Sequence, residues 1–315
     1  MRSFDAAAAI CPPDDRWVQI GTRLVLIRIA GPRLAERLFD PVRHIETKTP
    51  GRPLADITIN AWSVAETGVP SPPGLPFEWS DSGRSLAVAS FSSVEEFSRL
   101  SLARPFQNVL VPLLSIFDLR CVHGGLIAPP GSTAGLLLIG PNGSGKSTTC
   151  LSAVVSGFRL VGEDCLAIES ADNGIVGHSL YCTFSLTQRS REMFGSLTGD
   201  LRFPFGAAPD AKAVLALPAT GPASPMERTL PIRAVLFPEI TGAGRSQDFA
   251  VSRSEAYRRL MPGLRLMRHF EAKERQQHHD ALSRLVSDLP CYRVELGTRL
   301  QEIPDLLQGL ARAVA

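Results

Sequence analysis

One short segment limits what this chain can fold into more than any other. Residues 140–147 read Gly-Pro-Asn-Gly-Ser-Gly-Lys-Ser, which matches the phosphate-binding loop pattern G-x-x-x-x-G-K-[ST] at every fixed position. The apolar run 136–139 before it predicts a buried strand, and residues 147–156 after it predict a helix. A loop between a strand and a helix directs backbone N–H groups toward one point, where the helix dipole favours an anion. The chain is therefore expected to bind the phosphates of a nucleotide.

The loop pattern also predicts roles for single residues. Lys146 is expected to reach the β- and γ-phosphates, and Ser147 to coordinate Mg²⁺. The candidate nucleotide-binding residues share this loop and its junction with the helix: Gly140, Asn142, Gly143, Ser144, Gly145, Lys146, Ser147 and Thr148. The alternative, a glycine-rich turn that binds nothing, is disfavoured because both flanking segments have the required pattern.

Two adjacent acidic residues, Glu163 and Asp164, follow the loop. A phosphoryl transferase needs a carboxylate to hold the metal and, when the acceptor is a hydroxyl, one to orient or deprotonate it. Neighbouring residues of a strand point to opposite faces, so both carboxylates can face the phosphates only at a strand end or a bulge, which Gly162 would permit. A solvated turn is the alternative interpretation of the pair.

A histidine upstream of the loop is the third candidate. His123 lies in Val122-His123-Gly124-Gly125, inside a segment, 121–128, that predicts one strand. A lone histidine in a strand is more often a packing residue than a catalyst, and this one becomes functional only if strand pairing brings it to the phosphate loop. The two glycines after it allow a close approach of the backbone.

Together these segments resemble a known family. His123-Gly124, the phosphate loop, and Gly157-Phe158-Arg159-Leu160-Val161 with the acidic pair after it are similar to the catalytic domain of bacterial HPr kinase/phosphorylase, over about residues 121–168. The rest of the chain is more weakly similar to HPr-kinase-related serine kinases, including those of lasso-peptide biosynthetic clusters. The resemblance implies an α/β fold with a P-loop kinase domain of the HPr kinase type, in which helices pack on a mixed sheet.

The resemblance implies an activity and a set of roles. The chain would transfer the γ-phosphoryl group of ATP, with Mg²⁺, to a hydroxyl, most simply a serine of a peptide or small protein such as a lasso-type precursor. Lys146 would hold the phosphates, and Ser147 and Glu163 the metal. Asp164 would activate the hydroxyl, although the sequence leaves open which acid is the base. His123 would contact the transferring phosphate or the neighbouring carboxylate. A homo-oligomer is expected by analogy alone, since HPr kinases form hexamers.

The chain also departs from that family. Glu163 stands where the family usually has Asp, and no segment matches the downstream E-x-R-G-x-G pattern. The resemblance therefore does not extend to HPr as the acceptor or to the reverse phosphorolysis. A kinase of a small-molecule hydroxyl and a non-catalytic nucleotide-binding or ATPase module are the alternatives that the sequence leaves open.

The same phosphate-loop sequence also occurs in many ABC-transporter ATPases. Those proteins carry an L-S-G-G-Q signature and, further on, an apolar run that ends in Asp-Glu, and this sequence has neither. The nearest run, 234–239, lacks the Asp and has Pro238 before its acid. The sequence therefore disfavours an ABC ATPase.

Composition gives little reason to expect a polyanionic or membrane partner. The 33 Lys and Arg residues balance 31 Asp and Glu residues, for a formal charge of +2, so neither nucleic acid nor a membrane surface is an expected partner. Without an 18-residue apolar run or a secretory segment, we expect a cytoplasmic protein. The six cysteines form no C-x-x-C pair, so neither a zinc site nor a disulfide framework is expected. The lysines are few: Lys48, Lys146, Lys212 and Lys273.

The sequence also predicts a domain organisation. Alternating strand segments around Gly21-Thr22 and Asp81-Ser82-Gly83 predict two hairpins early in the chain. A capping box, Ser93-Val94-Glu95-Glu96, predicts a helix that runs toward Leu119 and is broken or kinked by its prolines. The expected parts are a smaller N-terminal α+β domain (1–91) as a candidate for acceptor recognition, a connecting helical segment (92–120), and the P-loop catalytic domain (121–315).

Overall fold

The computed structural model describes residues 2–48, 54–72, 78–95, 97–172, 174–194, 200–203, 212–261 and 272–315. It divides into two compact units, Met1–Asp118 and Leu119–Ala315. Both units combine helices with mixed sheets, which confirms the α/β class. None of the described helices has a stretch long and apolar enough to cross a bilayer.

The first unit is built on one six-stranded sheet with the order β3-β1-β2-β4-β6-β5. Its strands are β1 (Asp14–Ile20), β2 (Arg23–Ala30), β3 (Glu46–Thr47), β4 (Ile57–Ser63), β5 (Glu78–Asp81) and β6 (Leu86–Phe91). Its helices are α1 (Arg2–Ile10), α2 (Pro32–Phe39), α3 (Val64–Thr67), α4 (Arg99–Ala103) and α5 (Gln107–Ser115). The β2–β4 and β4–β6 pairs are parallel and the other pairs are antiparallel.

Both predicted hairpins form in this sheet. Gly21-Thr22 joins β1 to β2, with Gly21 in a positive-φ conformation that suits a tight turn, and residues 82–85 join β5 to β6. The predicted helix start at Ser93 is wrong. Helix α4 begins only after Ser98, whose hydroxyl accepts from the Ser101 N–H, and Glu96, the acid of the predicted capping box, lies outside the described residues.

The helical segment after β6 is also shorter and more broken than expected. Helix α4 ends before Pro105, α5 begins at Gln107, and Pro112 lies inside α5. Both helices belong to the first unit, which extends to Asp118. The structure therefore groups most of the expected connecting segment with the N-terminal sheet.

The second unit contains a nine-stranded sheet and a separate three-stranded sheet. Its strands are β7 (Arg120–Val122), β8 (Gly124–Ala128), β9 (Gly135–Ile139), β10 (Arg159–Glu163), β11 (Leu166–Ala171), β12 (Gly174–His178), β13 (Thr183–Thr187), β14 (Asp200–Phe203), β15 (Lys212–Ala216), β16 (Thr229–Ile240), β17 (Gln247–Ala250) and β18 (Cys291–Leu296). Its helices are α6 (Lys146–Val155), α7 (Gln188–Met193), α8 (Arg253–Leu260), α9 (Ala272–Asp288) and α10 (Ile303–Ala313).

The nine-stranded sheet places the strand that enters the phosphate loop near its centre. The order is β10-β8-β9-β16-β12-β11-β7, and β18 pairs with β16 and β17 beside this path. Strand β9 is antiparallel to β8 and parallel to β16, which is in turn parallel to β18. The three-stranded sheet has the order β13-β15-β14.

Helices cover both faces of this sheet. Leu136 and Leu138 of β9 pack in one apolar cluster with residues of α6 and α10, whereas Leu137 and Ile139 pack in a second cluster with residues of α8 and α9. A strand that is buried on both faces needs apolar side chains at successive positions, which explains the apolar run 136–139 before the loop. All six cysteines of the chain are free thiols, and all but Cys11 are buried.

The predicted single strand over 121–128 is wrong, because the structure has two strands there. Strand β7 pairs with β11, whereas β8 pairs with β9 and β10, and His123 lies between the two. The partner strands are interrupted in the same way, since Asp164 and Cys165 separate β10 from β11. The ladder between the two segments is interrupted at these positions, which leaves His123 and Asp164 outside it.

Candidate active site

The phosphate loop lies where β9 ends and α6 begins. Gly145 precedes the first residue of α6 and has φ of 105°, a backbone conformation that favours glycine. A Cβ atom at this position would lie 2.3 Å from Leu296 Cδ1 of β18. The second fixed glycine of the motif is therefore required both by the turn of the loop and by the packing of the loop against the sheet.

The Lys146 side chain folds back over the loop. It is only 6% exposed, and its Nζ donates to the carbonyl oxygens of Gly140 and Pro141, at 2.8 and 3.0 Å. Burial lowers the pKa of the Lys146 ammonium, while the carboxylates of Glu163 and Asp164 act in the opposite direction. The ammonium is thus held at the loop without a bidentate carboxylate partner, and an incoming phosphate can replace the two carbonyl contacts.

Glu163 lies next to the first turn of α6. It is the last residue of β10 and is 3% exposed, and the Ser147 hydroxyl contacts its Oε1. A hydroxyl oxygen and a carboxylate oxygen thus meet at one point beside the loop. These are the hard oxygen ligands that Mg²⁺ prefers, and the remaining positions around Mg²⁺ in such sites belong to phosphates and water. The two residues that the sequence assigns to the metal therefore fit it.

No group of three or more His, Cys, Asp or Glu side chains capable of holding a metal occurs within the described ranges. A dedicated cage of protein ligands is therefore not seen in that part of the chain. One carboxylate and one hydroxyl, completed by a nucleotide, require no such cage.

His123 and Asp164 form the second close pair of the site. The His123 Nδ1 lies 2.7 Å from Asp164 Oδ1 and 3.0 Å from the Asp164 carbonyl oxygen. Both side chains are largely but not fully buried, with 18% and 15% exposed. Asp164 has φ of 73°, which is unusual for a residue other than glycine. This left-handed residue follows the end of β10 directly and interrupts the strand, which resumes as β11 at Leu166.

The ladder around this pair keeps one register on both sides of the interruption. Glu163 lies opposite Gly125 on the β8 side, and Leu166 lies opposite Val122 on the β7 side. Next to His123, a Cβ atom on Gly124 would lie 2.5 Å from the backbone oxygen of Leu138. The glycine therefore allows β8 to approach β9 closely, and this approach brings His123 to the strand end that carries the phosphate loop.

The loop, the acids and the histidine line one cavity of about 610 Å³. Its walls include nearly all of the residues that the sequence predicts for the site: His123, Asn142, Gly143, Gly145, Lys146, Ser147, Thr148, Glu163 and Asp164. Gly140 and Ser144 lie beneath them: the Gly140 carbonyl accepts from Lys146, and the Ser144 hydroxyl is buried. A cavity of this size is typical of sites for drug-sized ligands and cofactors.

Sequence reasoning missed the wall of the cavity that does not belong to the motif. These residues come from β13, α7, β15, the last residues of β16 and β18, and the segments that follow those two strands: Ser185, Thr187, Arg189, Ser190, Met193, Lys212, Ile240, Gly242, Leu296, Gly297, Thr298 and Leu300. They belong to no known short motif. The one available signal was the alternation Thr183-Phe184-Ser185-Leu186-Thr187, which predicts a strand with one polar and one apolar face.

Comparison with known proteins supports the resemblance given by the motifs. The chain is 33% identical to the HPr kinase/phosphorylase of Geobacillus sp. strain WCH70 over 104 residues, which cover 32% of this chain and 31% of that protein. It is 36% identical to the HPr kinase/phosphorylase of Clostridium perfringens strain SM101 over 67 residues, or 21% of each chain. No family model matches the chain. The matches thus span about a third or less of these relatives, and over that part they confirm the resemblance to the HPr kinase family.

Proposed function

We propose that this chain is an ATP-dependent kinase that transfers the γ-phosphoryl group to a hydroxyl. The observation that carries the proposal is the meeting of two pairs in one cavity. Ser147 contacts Glu163 beside the phosphate loop, and His123 lies 2.7 Å from Asp164 at the adjoining strand end. One pair suits a metal and its nucleotide, and the other suits an acceptor hydroxyl. The partial matches to proteins named as kinases support the same class.

The loop would bind the nucleotide mainly through its backbone. The N–H groups of residues 143–148 surround the N-terminus of α6, where the helix dipole favours the β-phosphate. Lys146 would exchange its two carbonyl contacts for phosphate oxygens. Asn142 and Thr148 line the cavity at the rim of the loop and are the remaining side chains expected to contact the nucleotide.

Ser147 and Glu163 would hold Mg²⁺ between the loop and the nucleotide. When bound there, the ion would neutralise charge on the β- and γ-phosphate oxygens. The structure shows the hydroxyl and the carboxylate in contact, and an ion bound by both oxygens would replace the hydrogen bond between them.

Asp164 would act as the base. In the proposed step, the acceptor oxygen forms a bond to the γ-phosphorus while the bond from that phosphorus to the β–γ bridging oxygen breaks. The electron pair of the broken bond leaves with ADP, and the hydroxyl proton passes to the Asp164 carboxylate. His123 holds this carboxylate in position through its Nδ1. The products are ADP and a phosphate monoester.

We place the acceptor hydroxyl on a serine of a peptide or small protein, with a lasso-type precursor as one candidate. The support is the partial similarity to enzymes named for the phosphorylation of HPr, together with an open cavity that reaches the Asp164 side chain. The hydroxyl of a small molecule is the second candidate, because the same two pairs would serve it equally well. A homo-oligomeric assembly remains a prediction.

The test is transfer of label from γ-labelled ATP. The chain is incubated with Mg²⁺ and, in separate reactions, with serine-containing peptides, including any precursor peptide encoded beside its gene, and with small-molecule alcohols. We expect an acid-stable phosphate ester on one acceptor, and a rate of labelling at least about 100-fold lower with the Asp164→Asn variant. Label on small alcohols alone would reassign the acceptor class. Nucleotide binding without transfer to any hydroxyl would favour a non-catalytic nucleotide-binding module.

A further inference from the structure

The cavity has a second wall, which does not belong to the phosphate loop. It is formed by the polar face of the small sheet, where Thr187 of β13 lies directly opposite Lys212 of β15 and Ser185 lies opposite Val214. Side chains alternate between the faces of a strand, so Ser185 and Thr187 share one face. That face lines the cavity and carries Lys212 at the end of its strand.

The other face of the small sheet fixes its position. Phe184, Leu186 and Leu215 are buried in the apolar cluster that also contains Leu138 of β9 and Cys150 of α6. The strand that enters the phosphate loop and the helix that leaves it therefore share one core with this sheet. A packed core of this kind resists displacement, so the wall and the loop are held at a fixed separation.

The second wall adds a positive charge to the cavity. Lys146 of the phosphate loop and Lys212 of the small sheet both line the cavity, so their two ammonium groups face one common space. Two positive charges that face a common space repel each other. An anion bound between them is attracted by both, and these two attractions offset the repulsion.

We propose that Lys212 binds the non-bridging oxygens of the γ-phosphoryl group, on the side opposite Lys146. This inference rests on the proposed function, since it names a further residue for the same transfer. The bonds that form and break are those given above, and Lys212 neither gives nor takes a proton. Its ammonium would stabilise the negative charge on the γ-phosphoryl oxygens while that group moves from ADP to the acceptor oxygen.

This role predicts a difference between two nucleotides. Lys212 would contact ATP but not ADP, because ADP lacks the γ-phosphoryl group. We expect Lys212→Met to weaken binding of the β,γ-imido analogue of ATP about tenfold and to change ADP binding less than about twofold. Calorimetry on the full chain with Mg²⁺ measures both affinities without an acceptor. Lys212→Arg keeps the charge and should retain most of the preference for the triphosphate.

The matched control is Lys48→Met, which removes the same side chain from the first unit. It should leave both affinities unchanged, so any effect of net charge alone is subtracted. Equal affinities of Lys212→Met and wild type for the imido analogue would overturn the inference while leaving the proposed function intact. Unchanged nucleotide affinities with a raised KM for the acceptor would also overturn it, by assigning Lys212 to the acceptor. A wild-type chain that binds no nucleotide would refute the proposed function and the inference with it.

Discussion

The two units of the molecule distribute their charges in contrasting ways. In the first unit, the described ion pairs lie at the surface, as for Arg28 with Asp15, whose side chains are 35% and 42% exposed. In the second unit, Lys146 and Glu163 are buried at the phosphate loop. Among the described residues, every buried Lys, Arg, Asp or Glu side chain belongs to the second unit: Arg120, Lys146 and Glu163.

The contrast separates surface charges, which keep the protein soluble, from buried charges, which can take part in binding or catalysis. A surface ion pair contributes little to stability because water screens it, whereas a buried charge costs free energy unless partners offset that cost. Buried charges therefore persist mainly where chemistry requires them. In the second unit, Lys146 and Glu163 line one cavity with His123 and Asp164. Removal of either charge should therefore affect activity, whereas removal of a charge from the first unit should affect only stability, and weakly.

The largest expected effect is the loss of transfer in Lys146→Ala. The loop keeps its backbone N–H groups, but the cation that neutralises the phosphates is gone, so we expect the transfer rate to fall by at least about 100-fold. The free energy of unfolding should change by less than about 1 kcal/mol, because the lost hydrogen bonds are offset by the removal of a buried charge. Transfer rates and thermal melting check both parts.

Lys48→Ala in the first unit is the matched control and should change neither quantity. A wild-type transfer rate in Lys146→Ala would contradict the contrast between the units, because the buried cation of the loop would then have no role in catalysis.

The second prediction separates the two acids. Asp164→Asn should keep Mg-ATP affinity and lower the transfer rate by about 10²-fold to 10⁴-fold, as expected for loss of a general base. Glu163→Gln should weaken the dependence of nucleotide affinity on Mg²⁺, because the ligand oxygen loses its charge. Nucleotide affinity is measured with and without Mg²⁺, beside the transfer rate. Exchanged phenotypes would reverse the assignment, and two silent variants would make the pair a structural turn.

The sequence predicted the motif side of the site because its chemistry is local. The phosphate loop needs particular residues within one strand-loop-helix segment, so pattern and structure agree there. For the two acids the residue pattern left a strand end, a bulge or a solvated turn open, and in the structure Glu163 ends β10 with Asp164 directly after it. The family resemblance gave the contact of His123 with a carboxylate as one of two possibilities. The pattern of residues alone could not predict it, because it depends on the register between β8 and β10, which is set by long-range pairing.

The missed elements have physical causes of the same kind. The interruption at His123 matches the break between β10 and β11 in the segment that pairs with it, and it leaves no mark in an apolar segment. The wall with Lys212 is distant in sequence from the loop and belongs to another sheet. In the first unit, the helix predicted to start at Ser93 starts only after Ser98, where another serine caps it. Tertiary contacts thus decided the cases in which a local pattern allowed two outcomes.

The third prediction concerns the first unit as a whole, which we propose recognises or orients the acceptor. A chain that starts at Leu119 should bind Mg-ATP within about twofold of the full chain and show a kcat/KM for the acceptor reduced about tenfold or more. The cut follows the boundary between the units. A start near Ser92 is less suitable, because α5 contacts β5 and β6 and would lose its partners.

Exposed apolar surface could mimic loss of recognition through aggregation. The shortened chain must therefore be monodisperse and bind nucleotide before transfer is measured. Phosphorylation of the acceptor at the full-length rate by such a chain would remove the recognition role from the first unit.

The smallest expected effect comes from a surface pair of the first unit. Arg28 Nε lies 3.1 Å from Asp15 Oδ1, and each of the two side chains is more than a third exposed. A double-mutant cycle of Arg28→Ala and Asp15→Ala should give a coupling free energy of about 0.2–1 kcal/mol, which decreases with added salt because water and ions screen the pair. Nucleotide affinity should not change in any of the three variants. A coupling well above this range, or a loss of nucleotide affinity, would show that charges of the first unit also act beyond the surface, and the contrast between the units would no longer hold.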